Sequence, residues 1–139
     1  MDIQHAFELV QQTLQDLAKE NQHIPIIVEG EKDVAALRKL NITGTIITIN
    51  TGKSLIDFSD TLADQYNSVI LLTDWDRKGG FLCRTLLTNL SGRVQCNTTY
   101  REIFSKHTMV KTIEGLPSYC VTMQNHINQG KNQSLSTNP

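Results

Sequence analysis

Asp74 and Asp76 stand one residue apart at the end of an uninterrupted apolar run, Ser68-Val69-Ile70-Leu71-Leu72-Thr73, and the glycine pair Gly79-Gly80 follows them. A run without polar alternation has the composition of a parallel strand buried on both faces. The aspartates then fall at the carboxyl end of that strand, the edge where open α/β sheets hold their ligands. Two carboxylates so close repel one another unless a cation neutralises them. Mg²⁺ meets that need with few protein ligands, because water and phosphate oxygens fill the rest of its octahedron, and Mn²⁺ is the alternate ion.

A second signal of the same kind lies upstream, where Ile24-Pro25-Ile26-Ile27-Val28 runs into Glu29-Gly30-Glu31-Lys32-Asp33. Gly30 is expected to let the backbone turn sharply, and Asp33 to Leu40 has the acid-first, base-last order of a helix. If the two strands are parallel neighbours, Glu29 opens onto the same edge as Asp74 and Asp76. An Asp-x-Asp after a strand is by itself a common turn or N-cap pattern; a third acid converging on the same edge turns it into a metal site. Trp75, between the aspartates, is expected to pack under the loop rather than to stack on a base.

The elements that must position these acids alternate along the chain. Residues 2–21 place Ile3, Ala6, Phe7, Val10, Leu14, Leu17 and Ala18 on one helical stripe. Thr45 to Ile49 reads as a strand, Ser54-Leu55-Ile56-Asp57 as a capping box opening a helix to about Tyr66, and Phe81 to Leu90 as a further helix. Gly92 to Cys96 reads as an edge strand, and Thr99-Tyr100-Arg101-Glu102 as the start of a short helix. Strands separated by helical crossovers imply an α/β fold: about four strands, mostly parallel, with helices on both faces and an N-terminal helix in front. The polar segment from Gln124 to Pro139 reads as a disordered tail.

The pattern Glu29-Gly30-x-x-Asp33 with Asp74-x-Asp76-Arg77-x-Gly79 resembles the Toprim domain of topoisomerases, bacterial-type primases, OLD-family nucleases and the 5S ribosomal RNA maturase. The chain is most similar to small stand-alone Toprim proteins of archaea, and Ile113-Glu114-Gly115-Leu116-Pro117-Ser118-Tyr119 resembles their closing segment. The likeness covers roughly residues 24 to 121 and implies a Toprim, Rossmann-like fold over residues 24–123, with residues 1–23 as a helix packed on it and 124–139 as the tail. It implies Glu29 as general acid or base and also as a metal residue, with Asp74 and Asp76 as Mg²⁺ ligands. Asp33 matches a family acid. Arg77 matches a basic residue of the topoisomerase motif and is assigned to catalysis. Topoisomerases carry a glutamate on each side of the motif's glycine, where this chain has Lys78 and Gly80.

Gly30, Asp33, Lys53, Lys78 and Gly79 are expected along the path of a phosphate or nucleic acid. Thr51-Gly52-Lys53-Ser54 is not a P-loop, because position 47 is Ile47 instead of the required glycine. Its backbone amides and Lys53 could still hold a phosphate beside the acids. Arg101, Lys106, His107 and Lys111 form a loose basic cluster, and the four histidines share no metal spacing.

One domain of 139 residues can bury a core, and a net charge of −1 gives no global basic footprint, so nucleic acid must be met by a local patch. Cys83, Cys96 and Cys120 are odd in number and lack a C-x-x-C pair, which fits a reducing cytoplasm. No apolar stretch approaches the ~20 residues of a membrane span. The expected function is Mg²⁺-dependent hydrolysis of a phosphodiester in RNA or DNA, since strand passage and primer synthesis need parts that this length does not hold. A non-catalytic metal and nucleic-acid binding module, working with protein partners, is the alternative. A haloacid-dehalogenase phosphatase is disfavoured, because Lys78 stands where D-x-D-x-[TV] needs Thr or Val.

Overall fold

The structure, a computed structural model, describes residues 2–136, with side chains through residue 130. In chain order the elements are α1 (Ile3–Glu20), β1 (Ile26–Val28), α2 (Glu31–Lys39), β2 (Ile46–Thr48), α3 (Leu55–Gln65), β3 (Ser68–Leu71), α4 (Arg77–Leu90), β4 (Gln95–Asn97), α5 (Thr99–His107) and α6 (Leu116–Ser136). The strands form one parallel sheet in the order β2-β1-β3-β4. This is the expected α/β architecture, with β1 and β3 as the two central strands. From β1 the chain crosses to β2 on one side, while β3 lies on the other. The order therefore switches direction between β1 and β3, and a crevice opens beyond their carboxyl ends.

Alternate residues of the central strands feed two apolar layers, as the two-residue period of a strand dictates. Ile26, Val28, Ile70 and Leu72 enter the layer built with Val10, Leu17, Leu37, Phe104, Ile113 and Leu116. Ile27, Val69 and Leu71 enter the layer built with Phe58, Leu62, Cys83, Leu86 and Leu90. Helices α1, α2 and α5 cover the first face, and α3 and α4 the second.

The helix starts follow the capping residues. Asp2 caps α1 by accepting from the His5 N–H, and Ser54 caps α3 by accepting from the Asp57 N–H. Helix α4 begins at Arg77, four residues before the expected Phe81, because Asp76 caps it by accepting from the Gly79 N–H. The expected Gly30 turn differs as well: its φ of −156° is open to any residue, and a side chain there would meet nothing within 4 Å. Gly52, at φ +81° in the turn before α3, and Gly92, at φ +77° after α4, are the glycines whose backbone requires one.

The C-terminal segment is a correction to the sequence reading. Residues 124–136, expected as a disordered tail, continue α6. Met123 packs with Phe7 and Tyr119, and Ile127 adds to that cluster one helical turn later. That one apolar contact, at i+4 from Met123, is a signal that overall polarity concealed. Residues 137–139 lie outside the described residues. The expected consequence is that Ile127→Ala lowers the unfolding free energy by about 1 kcal/mol in denaturant titrations; an unchanged midpoint would return this segment to a tail without packing.

Candidate metal centre

Glu29 follows β1 directly, and Asp74 stands three residues beyond β3, so adjacent parallel strands deliver both to the crevice. Glu29, Asp74 and Asp76 each offer an oxygen within 4.8 Å of the other two. The convergence rests on backbone donors. The Asp74 N–H donates to Glu29 Oε2 at 2.8 Å, and the Ile113 N–H donates to Asp74 Oδ1 at 2.8 Å. The Gly79 N–H donates to Asp76 Oδ1 at 2.8 Å, so Asp76 is at once the cap of α4 and a member of the cluster.

Asp33 is buried, and its Oδ2 accepts from the Gly30 N–H at 3.1 Å. Burial pushes its carboxyl above the ordinary carboxylate range. Burial likewise pushes Asp74 up to about 7, against the downward pull of the Ile113 N–H, and the charges of Glu29, Asp33 and Asp76 add to the rise. Acids under this strain, with oxygen-only donors, fit a hard divalent cation.

A cleft of about 780 Å³ opens over the cluster. Its lining mixes the acids Glu29, Glu31, Asp33, Asp74 and Glu114 with the lysines Lys32, Lys53 and Lys78. Lys53 meanwhile donates to Thr61 Oγ1 at 3.2 Å. Arg77 does not line this cleft. Successive helical residues are turned by about 100°, so Lys78 reaches the wall while Arg77, the first residue of α4, is exposed.

Gly79 has a steric role, since a Cβ there would lie 1.8 Å from the Asp74 carbonyl oxygen. The Gly79 carbonyl also accepts from the buried Thr73 hydroxyl at 2.8 Å. Trp75 packs against Phe104 with ring centroids 5.7 Å apart, and its indole N–H donates to the Val110 carbonyl. It is a packing residue, as expected.

Two cleft-lining residues, Lys32 and Glu114, were not assigned to the site by type and spacing, and Arg101, read only as part of a loose basic cluster, grips the loop after β3. Arg101 Nε donates to the carbonyls of Thr73 at 3.1 Å and Asp74 at 3.2 Å, and its Nη2 donates to Asp74 at 2.8 Å. Lys32 had a usable signal in its place in the first turn of the helix after Glu29. Arg101 had none, because only the tertiary fold brings α5 to that loop.

An acidic cluster at the carboxyl edge of a parallel sheet, beside lysines, could hold a divalent cation. The family model of the Toprim domain matches residues 24–106, and the chain belongs to that family of metal-dependent, nucleic-acid-processing domains. A UPF0292 protein of Thermoplasma volcanium is 43% identical over 101 residues, covering 72% of this chain and 85% of its own. A UPF0292 protein of Methanocaldococcus jannaschii is 35% identical over 116 residues, covering 81% of this chain and 91% of its own. These relatives are small archaeal proteins. A solved structure of a protein from Aquifex aeolicus superposes with a TM-score of 0.65 at 29% identity, covering 74% of this chain and 94% of that one. Among the described residues no helix is long and apolar enough to cross a membrane.

Two outcomes follow from this geometry. Gly79→Ala should cost about 1–3 kcal/mol of stability through its collision with the Asp74 carbonyl, whereas Gly30→Ala should cost little; equal denaturation midpoints for the two would contradict the close approach. A carboxyl raised in the fold favours the folded state while protonated. In metal-free protein that contribution is complete at pH values below 3.8 and lost as pH rises to about 7. Asp74→Asn should therefore gain stability relative to the parent across that window, and a difference that does not change with pH would remove the assigned burial.

Proposed function

We propose that the chain is a Mg²⁺-dependent phosphodiester hydrolase acting on RNA or DNA. The observation that carries the reading is the approach of Glu29, Asp74 and Asp76 oxygens to within 4.8 Å of one another at the switch point, with Lys32, Lys53 and Lys78 lining the cleft that Glu29 and Asp74 share. A divalent cation held by Asp74 and Asp76 would supply charge neutralisation and polarise a phosphate oxygen. Glu29 is the proton carrier: one of its oxygens is pinned by the Asp74 N–H, which fixes the carboxylate beside the reacting phosphate. Asp76 is held rigid by its capping bond. Lys78 takes the place assigned to Arg77 and meets the charge that builds on the phosphate, while Lys32 and Lys53 draw the polyanion into the cleft. Gly30, without a side chain, leaves the floor open to the substrate backbone. Asp33 supports the site by holding the Gly30 amide rather than by touching phosphate. Residues 24–123 form the catalytic domain, with α1 as its packing cover.

Glu29→Gln separates catalysis from binding. The amide keeps an oxygen able to accept from the Asp74 N–H but cannot carry the proton, so cleavage of RNA or DNA substrates in Mg²⁺ should fall by roughly 10²-fold or more with metal affinity little changed. Asp76→Asn behaves differently. Asparagine caps a helix as well as aspartate does, so the fold stays while a charged ligand is lost, and excess Mg²⁺ or Mn²⁺ should restore part of the activity. Should both variants cleave as the parent does, hydrolysis does not occur here; if the parent binds nucleic acid and metal without cutting, the chain is a binding module of a larger complex.

A further inference from the structure

We propose that the exposed face of α4 is a track for single-stranded nucleic acid, with Phe81 stacking on an unpaired base and Arg84 and Arg101 holding the adjoining phosphate. The proposal rests on the nucleic-acid reading above and deepens it by naming the strandedness of the substrate.

Phe81 is 58% exposed, one turn into a helix whose Cys83, Leu86 and Leu90 are buried. Arg77, Phe81 and Arg84 stand at i, i+4 and i+7, one stripe of the helix facing solvent. On one flank of that stripe Lys78 and Leu82 line the acidic cleft, so the face continues into the metal centre. On the other flank lies Gly80. The position a Gly80 Cβ would take is 3.4 Å from Arg84 Nη1 and 3.7 Å from Arg101 Nη2, so two guanidinium groups converge over one bare glycine.

Nothing acidic answers them. Among the described residues the one ion pair within 4.0 Å is Arg93 with Asp60, and Glu102, next to Arg101 in the chain, is approached by the Thr98 hydroxyl. Arg101 is bound only through backbone carbonyls, which orient its guanidinium without cancelling its charge. Two like charges with no ion pair within 4.0 Å, one of them oriented by backbone carbonyls, form an anion site, and arginine suits phosphate through its planar fork.

The aromatic ring decides the strandedness. Base–aromatic stacking needs an open base face, which a single strand offers and a duplex closes. A protein partner would call for a contiguous apolar patch, and Phe81 is flanked by Arg77 and Arg84 instead. The strand thus crosses the solvent side of α4, about one helix diameter, between the arginine pair and the cleft.

The test is equilibrium binding in EDTA, which blocks metal-dependent cleavage, of short fluorescein-labelled RNA and DNA strands, free and annealed to their complements. The parent should prefer the single strand. Phe81→Ala should weaken that binding about tenfold while Phe81→Trp keeps it, a rescue expected of stacking and not of packing. Arg84→Ala should lower the slope of log affinity against log salt by about 0.7, the loss of one phosphate contact on a single strand. Single-strand affinity unchanged by Phe81→Ala, or duplex bound as tightly as single strand, would overturn the track and leave the hydrolase reading to its own Glu29→Gln test. Binding of neither form by the parent would end both. Phe81 and Arg84 are exposed, so the variants should melt with the parent.

Discussion

Like charges gathered at one strand edge have to be held there, and this chain holds them with backbone amides. Glu29 accepts from Asp74, Asp74 from Ile113, Asp76 from Gly79 and Asp33 from Gly30. A hydrogen bond to a charged group contributes about 1.5–3 kcal/mol, which makes the arrangement affordable but not neutral. Asp74 shows the remainder: with the Ile113 amide in place, burial and then the neighbouring acids still push its carboxyl up to about 7. The amides give the cluster its shape, and the balance of charge is left for a cation.

The same bonds fix the backbone of the loop after β3. The Asp74 N–H is taken by Glu29 and its carbonyl by Arg101, while the Trp75 N–H donates to the Lys111 carbonyl and the Asp76 carbonyl accepts from Gly80. A buried polar loop is stable only when its backbone groups are matched in this way. Helix α4 closes over it at a distance that only glycine permits at position 79. Acid geometry, helix capping and steric closure are therefore one device, and a change in any part moves the others.

Much of this was readable from residue type and spacing. The uninterrupted apolar runs marked β1 and β3 as buried parallel strands, and the acids that end them marked the edge. Ser54 and Asp57 announced α3, and an aspartate at Asp76 was ambiguous between a cap and a ligand because it serves as both. What stayed hidden depends on contacts distant in sequence. Arg101 reaches the metal loop across 27 residues, and nothing in its neighbours Tyr100 and Glu102 announces that reach. The separation of Arg77 from Lys78 was hidden for a different reason: the start of α4 sets which of two consecutive cations faces the cleft, and that start was placed at Phe81. Ile127 was overlooked because one apolar residue in a polar stretch carries no periodicity.

The family match ends at residue 106, yet Lys111 and Ile113 bind the metal loop and Glu114 faces the cleft. A chain grows from its N-terminus, so Glu29, Asp74 and Asp76 are synthesised before the Ile113 amide that anchors Asp74. The acidic cluster is thus unfinished through most of translation. Its last structural partner arrives only once the sheet and the two helices flanking β4 have been made, which couples the moment at which the centre becomes competent to the near-completion of the fold around it.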